Sequence, residues 1–567
     1  MKDIVYGNSN FKKIRTQKNY LYIDKTRFIE VLENRSEDFF IFLRPRRFGK
    51  SLFLSTLWHY YDERFSNEFE SIFKGTYIYD NKTPLQGKFK VLFLSFAGIE
   101  VERGLEVTLR GFNNSVKFNL FSYLNHYGYD EKYKKELDKY DEPDALLKKF
   151  FEIVENDNIY LLIDEYDHFA NALLAYDISD FLRVVGKGGF VRSFYEVLKD
   201  KTLSGTIQKM FITGVTPITL DSLSSGFNIV DNISYEKEFN EMAGFTEEEV
   251  ILSINETIAK KCKIDMPNIL LELKKLYNGY LFNLKAKNKI YNSTMLNYFL
   301  LKYDTDDCSY PESFLDPNVA SDYGIIMRLF SIGNKETNYK ILEELIEKGE
   351  IKGRLKDRFD LDKGFFEDDF ITLIYSMGLI THKNKRLFGE GYKYFEIPNY
   401  MMKILYFRYF GVEIEKQTKL SIQNDATKIL MELGLGNIEP FKKQLNEVIK
   451  ILSNRDYAKF NEKHFQSITL ALLSFASFYY IQSEKEISNK YPDILVYGRK
   501  PYTNDTKNYM FELKWVKNNE DKESKKVEAI NQLKKYQNLD EIKEIPNLTS
   551  IALIGSKDGV KFVVVKD

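Results

Sequence analysis

The sequence predicts an α/β chain in three parts: a parallel sheet first, a helical stretch in the middle and a smaller mixed α/β part at the end. Three observations predict it. Short, continuously apolar runs rich in β-branched and aromatic residues alternate with helical patterns over the first 240 residues. Strands of that kind are buried on both faces of a parallel sheet. The texture turns helical from about Gly244 and returns to mixed α/β from about Lys459. A length of 567 residues also exceeds one ordinary core and predicts about two to four domains.

The first strand is "FFIFL", Phe39–Leu43, and "SLFLSTLWHYY" reads as the helix after it. "KVLFLSF" (Lys90–Phe96), "IYLLIDEY" (Ile159–Tyr166) and "KMFITGV" (Lys209–Val215) are the next strands. Thr246 and Glu249 form a capping box that opens the first helix of the middle region. Within that region, "FITLIYSMGLITHKNKRLFGEGYKYFEIPNYMMKILYFRYF" predicts two helices and a short β-hairpin, winged-helix-like, read as a connector. Phe465 to Ser483 is free of charge but carries two Gln, one Thr and four Ser, so a buried helix leading into a strand is preferred to a membrane span. Strands follow at Tyr491–Tyr497 and Tyr509–Val516, then a helix, then "SIALIGS" and "KFVVVK" joined as a hairpin by "SKDG". The expected divisions are residues 1–240, 241–455 and 456–567.

Composition narrows the function. Hydrophobic (44%) and charged (29%) fractions are globular, and 82 basic against 83 acidic residues leave a net charge of -1. No global field draws nucleic acid, so any such contact needs a local basic patch. Two cysteines, Cys262 and Cys308, exclude a disulfide framework and a Cys-rich zinc site and suggest a reducing compartment. The start, "MKDIVYGNSNFKK", has no signal-peptide pattern, so a cytoplasmic location is expected.

"FLRPRRFGKS", Phe42 to Ser51, ends as a phosphate-binding loop does, with Gly49, Lys50 and Ser51 in place of the last three positions of G-x-x-x-x-G-K-[ST]. Arg44 stands where the first glycine belongs, which the backbone permits if φ there stays negative. A strand before and a helix after are the required context; the helix N-terminus adds partial positive charge for phosphate. "YLLIDEYD" supplies the second half: Asp164 at a strand end to hold Mg²⁺ and Glu165 to polarise the attacking water. Thr213 ends a further strand, either as a γ-phosphate sensor or as a hydroxyl closing a turn. His168 reads as a hydrogen-bonded structural residue.

In chain order, "YGNSNFKKIRTQKNYLYIDKTRFIEVL", "FLRPRRFGKS", "LLIDEYD", "FITGVTPITLDSLSSGFN", "GFTEEEV" and "YNGYLFN…IYNSTMLNYFL" resemble the bacterial AAA-ATPase-like family from roughly Val5 to Leu300. Members of that family carry R-P-R-R-x-G-K-S, so Arg44 matches the family's loop. The resemblance implies a P-loop NTPase sheet and ATP bound by Arg47, Phe48, Gly49, Lys50, Ser51 and Asp164. It also implies Mg²⁺ on Ser51 and Asp164.

Near the end, "YPDILVYGRK" puts Asp493 at a strand start, and "YMFELKWV" puts Glu512 and Lys514 on one face of the next strand. Two carboxylates and a lysine on adjacent strands suit a hard cation that binds phosphate and activates water. The P-D…E-x-K spacing, nineteen residues from Asp493 to Glu512, resembles the PD-(D/E)XK nuclease superfamily from roughly Asn461 onward. Glu462 on a preceding helix, Glu484 before the strand, and Gln532 with Tyr536 at i,i+4 add to the likeness. The Q-x-x-x-Y element resembles the nuclease branch of recombination helicases. The implied site has Asp493 and Glu512 on a metal, with Lys514 and Gln532 also catalytic, in a restriction-endonuclease-like α/β domain. Lysines 500, 507, 514, 517, 522, 525, 526, 534 and 535 crowd the segment, as a solvated face or as contacts to backbone phosphates.

The reading is an ATPase fused to a Mg²⁺-dependent nuclease, with DNA favoured as partner, no membrane, homo-oligomerisation left open, and a setting in defence or mobile DNA by analogy. The alternative is a nucleotide-driven switch whose last domain binds nucleic acid or protein without cutting.

Overall fold

The computed structural model describes the chain except residues 18, 187, 218–228, 320, 322–327, 358, 360–363, 386–390, 456–459, 484–491, 518–520 and 566–567. Glu484 and part of "FITGVTPITLDSLSSGFN" therefore lie outside the described residues. The chain forms two compact units: Met1–Leu301 with Pro317–Asn399, and Lys302–Asp316 with Tyr400–Asp567. These cut the chain elsewhere than at 240 and 455, because helices after residue 400 pack with the C-terminal strands and their flanking helix.

In the first unit, β1 (Phe39–Leu43), β2 (Lys90–Ser95), β3 (Ile159–Asp164), β4 (Ile207–Gly214) and β5 (Asp231–Asn232) form one sheet of order β2-β3-β4-β1-β5. All its pairs are parallel. Every residue of β3 is buried, as a strand covered on both faces requires. The helix α1 (Lys50–Tyr61) packs on β2, β3 and β4, and buries Phe53, Leu54, Leu57, Tyr60 and Tyr61. β4 lies between the strand that feeds the phosphate loop and the strand that ends in Asp164, with Phe42 opposite Thr213 and Ile163 opposite Ile212. That insertion sets Thr213 beside Asp164.

Later in the same unit, α2 (Glu247–Glu256) begins on the Thr246–Glu249 capping box and α3 (Ser293–Lys302) follows. A three-stranded antiparallel sheet, β6 (Ile351–Arg354), β7 (Thr381–His382) and β8 (Tyr392–Glu396), has the order β6-β8-β7. Its chain order is α4 (Lys335–Lys348), β6, α5 (Glu367–Ser376), β7, β8.

In the second unit, α6 (Tyr400–Thr418) packs on α7 (Glu462–Leu473). Five strands, β9 (Tyr479–Ser483), β10 (Ile494–Gly498), β11 (Asn508–Trp515), β12 (Leu548–Ser556) and β13 (Gly559–Val565), form a mixed sheet in the order β13-β12-β11-β10-β9. Only β11–β12 is parallel. A parallel pair needs a crossover, and α8 (Lys522–Gln537) supplies it, burying Ala529, Leu533 and Tyr536 against Met510, Ala552 and Ile554. The uncharged run from Phe465 resolves into α7 and β9, and no helix among the described residues is long and apolar enough to cross a membrane. Neither cysteine is a free thiol, so the cysteines do not support the reducing compartment their number suggested.

Candidate active sites

The loop Arg44–Gly49 joins β1 to α1. Arg47 and Gly49 hold left-handed backbone, φ 71° and 93°, whereas Arg44 needs no such turn. The Arg44 side chain instead runs into the core. Its guanidinium donates to the carbonyls of Leu43 (2.9 Å), Phe239 (2.9 Å) and Ser234 and stacks on Phe42 and Phe282, 4.3 and 4.0 Å from the ring centres. Burial pulls its pKa down to about 9. The residue in the first-glycine place thus ties the loop to β1 and to residues 234–239.

Lys50 is buried, and its ammonium donates to the carbonyls of Arg44 (2.9 Å) and Pro45 (3.0 Å). Burial lowers its pKa to about 8, opposed by Asp164 first and then Glu165 and Asp167. The Asp164 carboxylate accepts from the Thr213 hydroxyl (2.6 Å) and from the Glu165 backbone N–H (3.0 Å). Glu165 has φ 53° and lies with an oxygen 3.3 Å from His168 Nδ1; the same nitrogen is 3.4 Å from Arg46 Nη2. Asp167 is committed elsewhere. It accepts from the backbone N–H groups of Val215 and Thr216, the Thr216 hydroxyl and the Asn171 amide, 2.6–3.1 Å. A Cβ on Gly214 would lie 2.3 Å from the Tyr166 ring, so only glycine lets β4 end this close to that turn.

A cavity of about 490 Å³ opens over the loop, lined by Arg46 to Phe53, Glu165, His168, the N-terminal Val5–Ser9 and residues of α3. That volume is in the range of small-molecule sites. Asn297 donates to the Val5 carbonyl (3.0 Å), while Thr294 N–H and the Ser293 hydroxyl donate to the Arg47 carbonyl (3.2 and 3.3 Å). Lys25 binds both oxygens of Glu249 at 2.7 Å, linking the N-terminal segment to the capping box of α2.

In the second unit, Asp493 immediately precedes β10, whose Ile494 pairs with Phe511 of β11, and its charge acts on Glu512. Asp493 accepts from the Leu513 N–H (2.6 Å). Lys514 lies 3.0 Å from Glu512, 3.6 Å from Glu462 and 3.9 Å from Glu528. Glu462, first residue of α7, also accepts from the Trp515 N–H (3.2 Å). Burial and then the Asp493 charge push the Glu512 pKa up to about 7, against Lys514. Tyr536 on α8 is pushed up to about 12, by burial first and then by Glu512 and Asp493.

Residues 5–224 match the family described as Predicted AAA-ATPase, and residues 460–563 match the PD-(D/E)XK nuclease superfamily. The chain carries an AAA-ATPase-like domain and a PD-(D/E)XK superfamily domain. A relative, "Uncharacterized protein in vnfD 5'region" of Azotobacter chroococcum mcd 1, is 27% identical over 266 residues, 44% of each chain. The match spans less than half of that relative's length.

Both domains suit the groups their families use. The ATPase-like domain offers a buried cation, Lys50, at a helix N-terminus beside Ser51, with Asp164 close enough to oppose its loss of charge. In the PD-(D/E)XK domain, Glu512 Oε2 is buried with no hydrogen-bond partner among the described residues. The Glu512 carboxylate thus has one oxygen on Lys514 and one left open to a further cation, with the Asp493 charge acting on it. No three His, Cys, Asp or Glu side chains converge as a metal cage among the described residues. Mg²⁺ commonly takes one or two carboxylates and keeps places for substrate oxygens.

Phe48 departs from its expected role. Its ring is buried edge-on against Tyr280 and Phe282, so only its main chain faces the cavity side of the loop. Gln532 sits on α8 with a buried Oε1 that has no hydrogen-bond partner among the described residues. Sequence reasoning missed Glu528, one helical turn before Gln532, although the i,i+4 spacing that linked Gln532 to Tyr536 also reaches it. It missed the His168–Glu165–Arg46 cluster and the Lys25–Glu249 pair, which have no local pattern.

Proposed function

We propose that the chain binds and hydrolyses ATP in its first unit and cuts nucleic acid, DNA in preference, in its second. Arg47, Gly49, Lys50, Ser51 and the Phe48 main chain hold the phosphates. Ser51 and Asp164 hold Mg²⁺, and Glu165, held beside His168, orients the attacking water. Thr213 fixes Asp164. In the second unit, Asp493 and Glu512 hold Mg²⁺, which supplies charge for the scissile phosphate and a more acidic water when bound. Lys514 positions that water or a phosphate oxygen, and Gln532 and Tyr536 line the same side. An enzyme that needs both ATP and DNA works in the cytoplasm, and defence or mobile-DNA upkeep suits the pairing.

The observation that carries the reading is the Glu512 carboxylate: its Oε1 accepts from Lys514, its buried Oε2 has no hydrogen-bond partner among the described residues, and the Asp493 charge acts on it. The purified protein should cut DNA with Mg²⁺ or Mn²⁺, and Asp493→Ala and Glu512→Ala should each abolish cutting. The two should be non-additive because they serve one ion, and excess Mn²⁺ should partly rescue each. Binding of ATP and DNA without cutting under any metal supports the switch reading instead.

A further inference from the structure

The three-stranded sheet of the first unit carries a feature that neither active site uses. On β6 the burial alternates strictly: Ile351 and Gly353 face in, Lys352 and Arg354 face out. The register sets Lys352 directly opposite Tyr394 and Arg354 directly opposite Tyr392 on β8. Cross-strand partners share one face. The Lys352 ammonium lies 5.9 Å from the Tyr394 ring centre, the Arg354 guanidinium 4.2 Å from that of Tyr392, and Lys385 approaches Tyr394 at 4.3 Å. Tyr392 is 40% exposed. Glu350 engages Lys383 and Lys385 at 2.8 and 2.6 Å, and the Asp368 carboxylate accepts from the Arg354 backbone N–H at 3.0 Å.

The helix between β6 and β7 is not available to a DNA groove. α5 opens on Glu367, Asp368 and Asp369, and every residue from Asp369 to Ser376 is buried. An acidic, buried helix reads no duplex. The outward sheet face is the opposite: cations that attract phosphate and two tyrosines with rings that bases stack on. Bases offer their faces only when unpaired.

We propose that the outward face of β6–β8 is a binding surface for single-stranded nucleic acid, with Tyr392 and Tyr394 stacking bases and Lys352 and Arg354 on the flanking phosphates. The inference concerns binding alone and stands whether or not the second unit cuts.

The test uses the full chain in EDTA, which stops metal-dependent cleavage. A fluorescein-labelled oligothymidylate is titrated by anisotropy over a range of NaCl concentrations. Lys352→Ala with Arg354→Ala should weaken binding and lower the salt slope by about 1.4, two contacts at about 0.7 each for a single strand. Tyr392→Leu with Tyr394→Leu should weaken binding about tenfold or more with the slope unchanged. Lys352→Arg with Arg354→Lys should bind as the parent does, which separates lost charge from lost fold. Parent-like affinity and slope in both loss variants, with parent-like thermal melts, overturns the proposal. So does a duplex or a polyglutamate that competes as well as the single strand, with the tyrosine pair neutral, because the face is then a general polyanion surface or an acidic-protein site.

Discussion

Two buried ionisable side chains dominate the residue scale, and each makes a pH prediction. Among the described residues the Lys50 ammonium is hydrogen-bonded to two carbonyls, and burial lowers its pKa to about 8. Phosphates favour its charged form, so binding above that pH takes up a proton. ATP affinity, followed by calorimetry in buffers of different ionisation heat, should be flat below about pH 8. It should fall by up to about tenfold per unit above it. Lys50→Ala should remove the dependence together with about a hundredfold or more of affinity. Glu512 is the opposite case. Its pKa is raised to about 7 by burial and Asp493, so the metal-free site is protonated below that pH and must release a proton to bind. Apparent Mg²⁺ or Mn²⁺ affinity should weaken about tenfold per unit below about pH 7 and level off above. Glu512→Gln should abolish that slope. Asp167, two residues past Glu165, has both its oxygens hydrogen-bonded, to the turn after β4 and to Asn171.

At the scale of elements, the junction of β1 and α1 explains the unusual loop. A glycine at position 44 would match the general phosphate-loop pattern. Here the side chain at that place supplies donors to three carbonyls and lies between two rings. Arg44→Gly should therefore lower stability by about 3 kcal/mol in urea unfolding, through unmet carbonyls and a cavity, and should not improve ATP affinity. Most of these elements are legible in the sequence. Phe39–Leu43, Lys90–Phe96, Ile159–Tyr166 and Lys209–Val215 became β1 to β4 with ends shifted by a residue or two, because unbroken apolar strands leave little ambiguity of face. β5 is two residues long and β9 begins inside an uncharged run, so neither carries a period of its own. Glu512 and Lys514 were legible as one face of one strand; Glu528, fifteen residues or so farther on, faces Lys514 only because α8 crosses back over β11.

At the scale of the molecule, the C-terminal unit includes a short piece of distant chain. The Arg499 guanidinium donates to the carbonyls of Pro311 (3.2 Å) and Glu312 and stacks on Phe314 at 3.9 Å. Residues 302–316 are thus part of that unit's fold. A fragment of residues 400–567 should melt about 5–10 °C below the same fragment supplied with a 302–316 peptide at saturation. Equal melting temperatures would mean that the strap adds nothing.

The sequence by itself determined the two domain families. Strand-ending acids, a glycine–lysine–serine loop and a carboxylate pair before E-x-K are patterns within single elements or adjacent ones, and local geometry dictates which way those side chains point. Only the tertiary structure decided the rest. Sheet order inserted β4 and so gave Asp164 its Thr213 partner; packing turned Arg44 inward and Phe48 away from the cavity. The strap joined Arg499, nearly two hundred residues along the chain from it. The outward face of β6–β8 arose from register between strands about forty residues apart. Contacts between residues far apart in sequence leave no period or motif to read, because the spacing along the chain does not fix the distance in space.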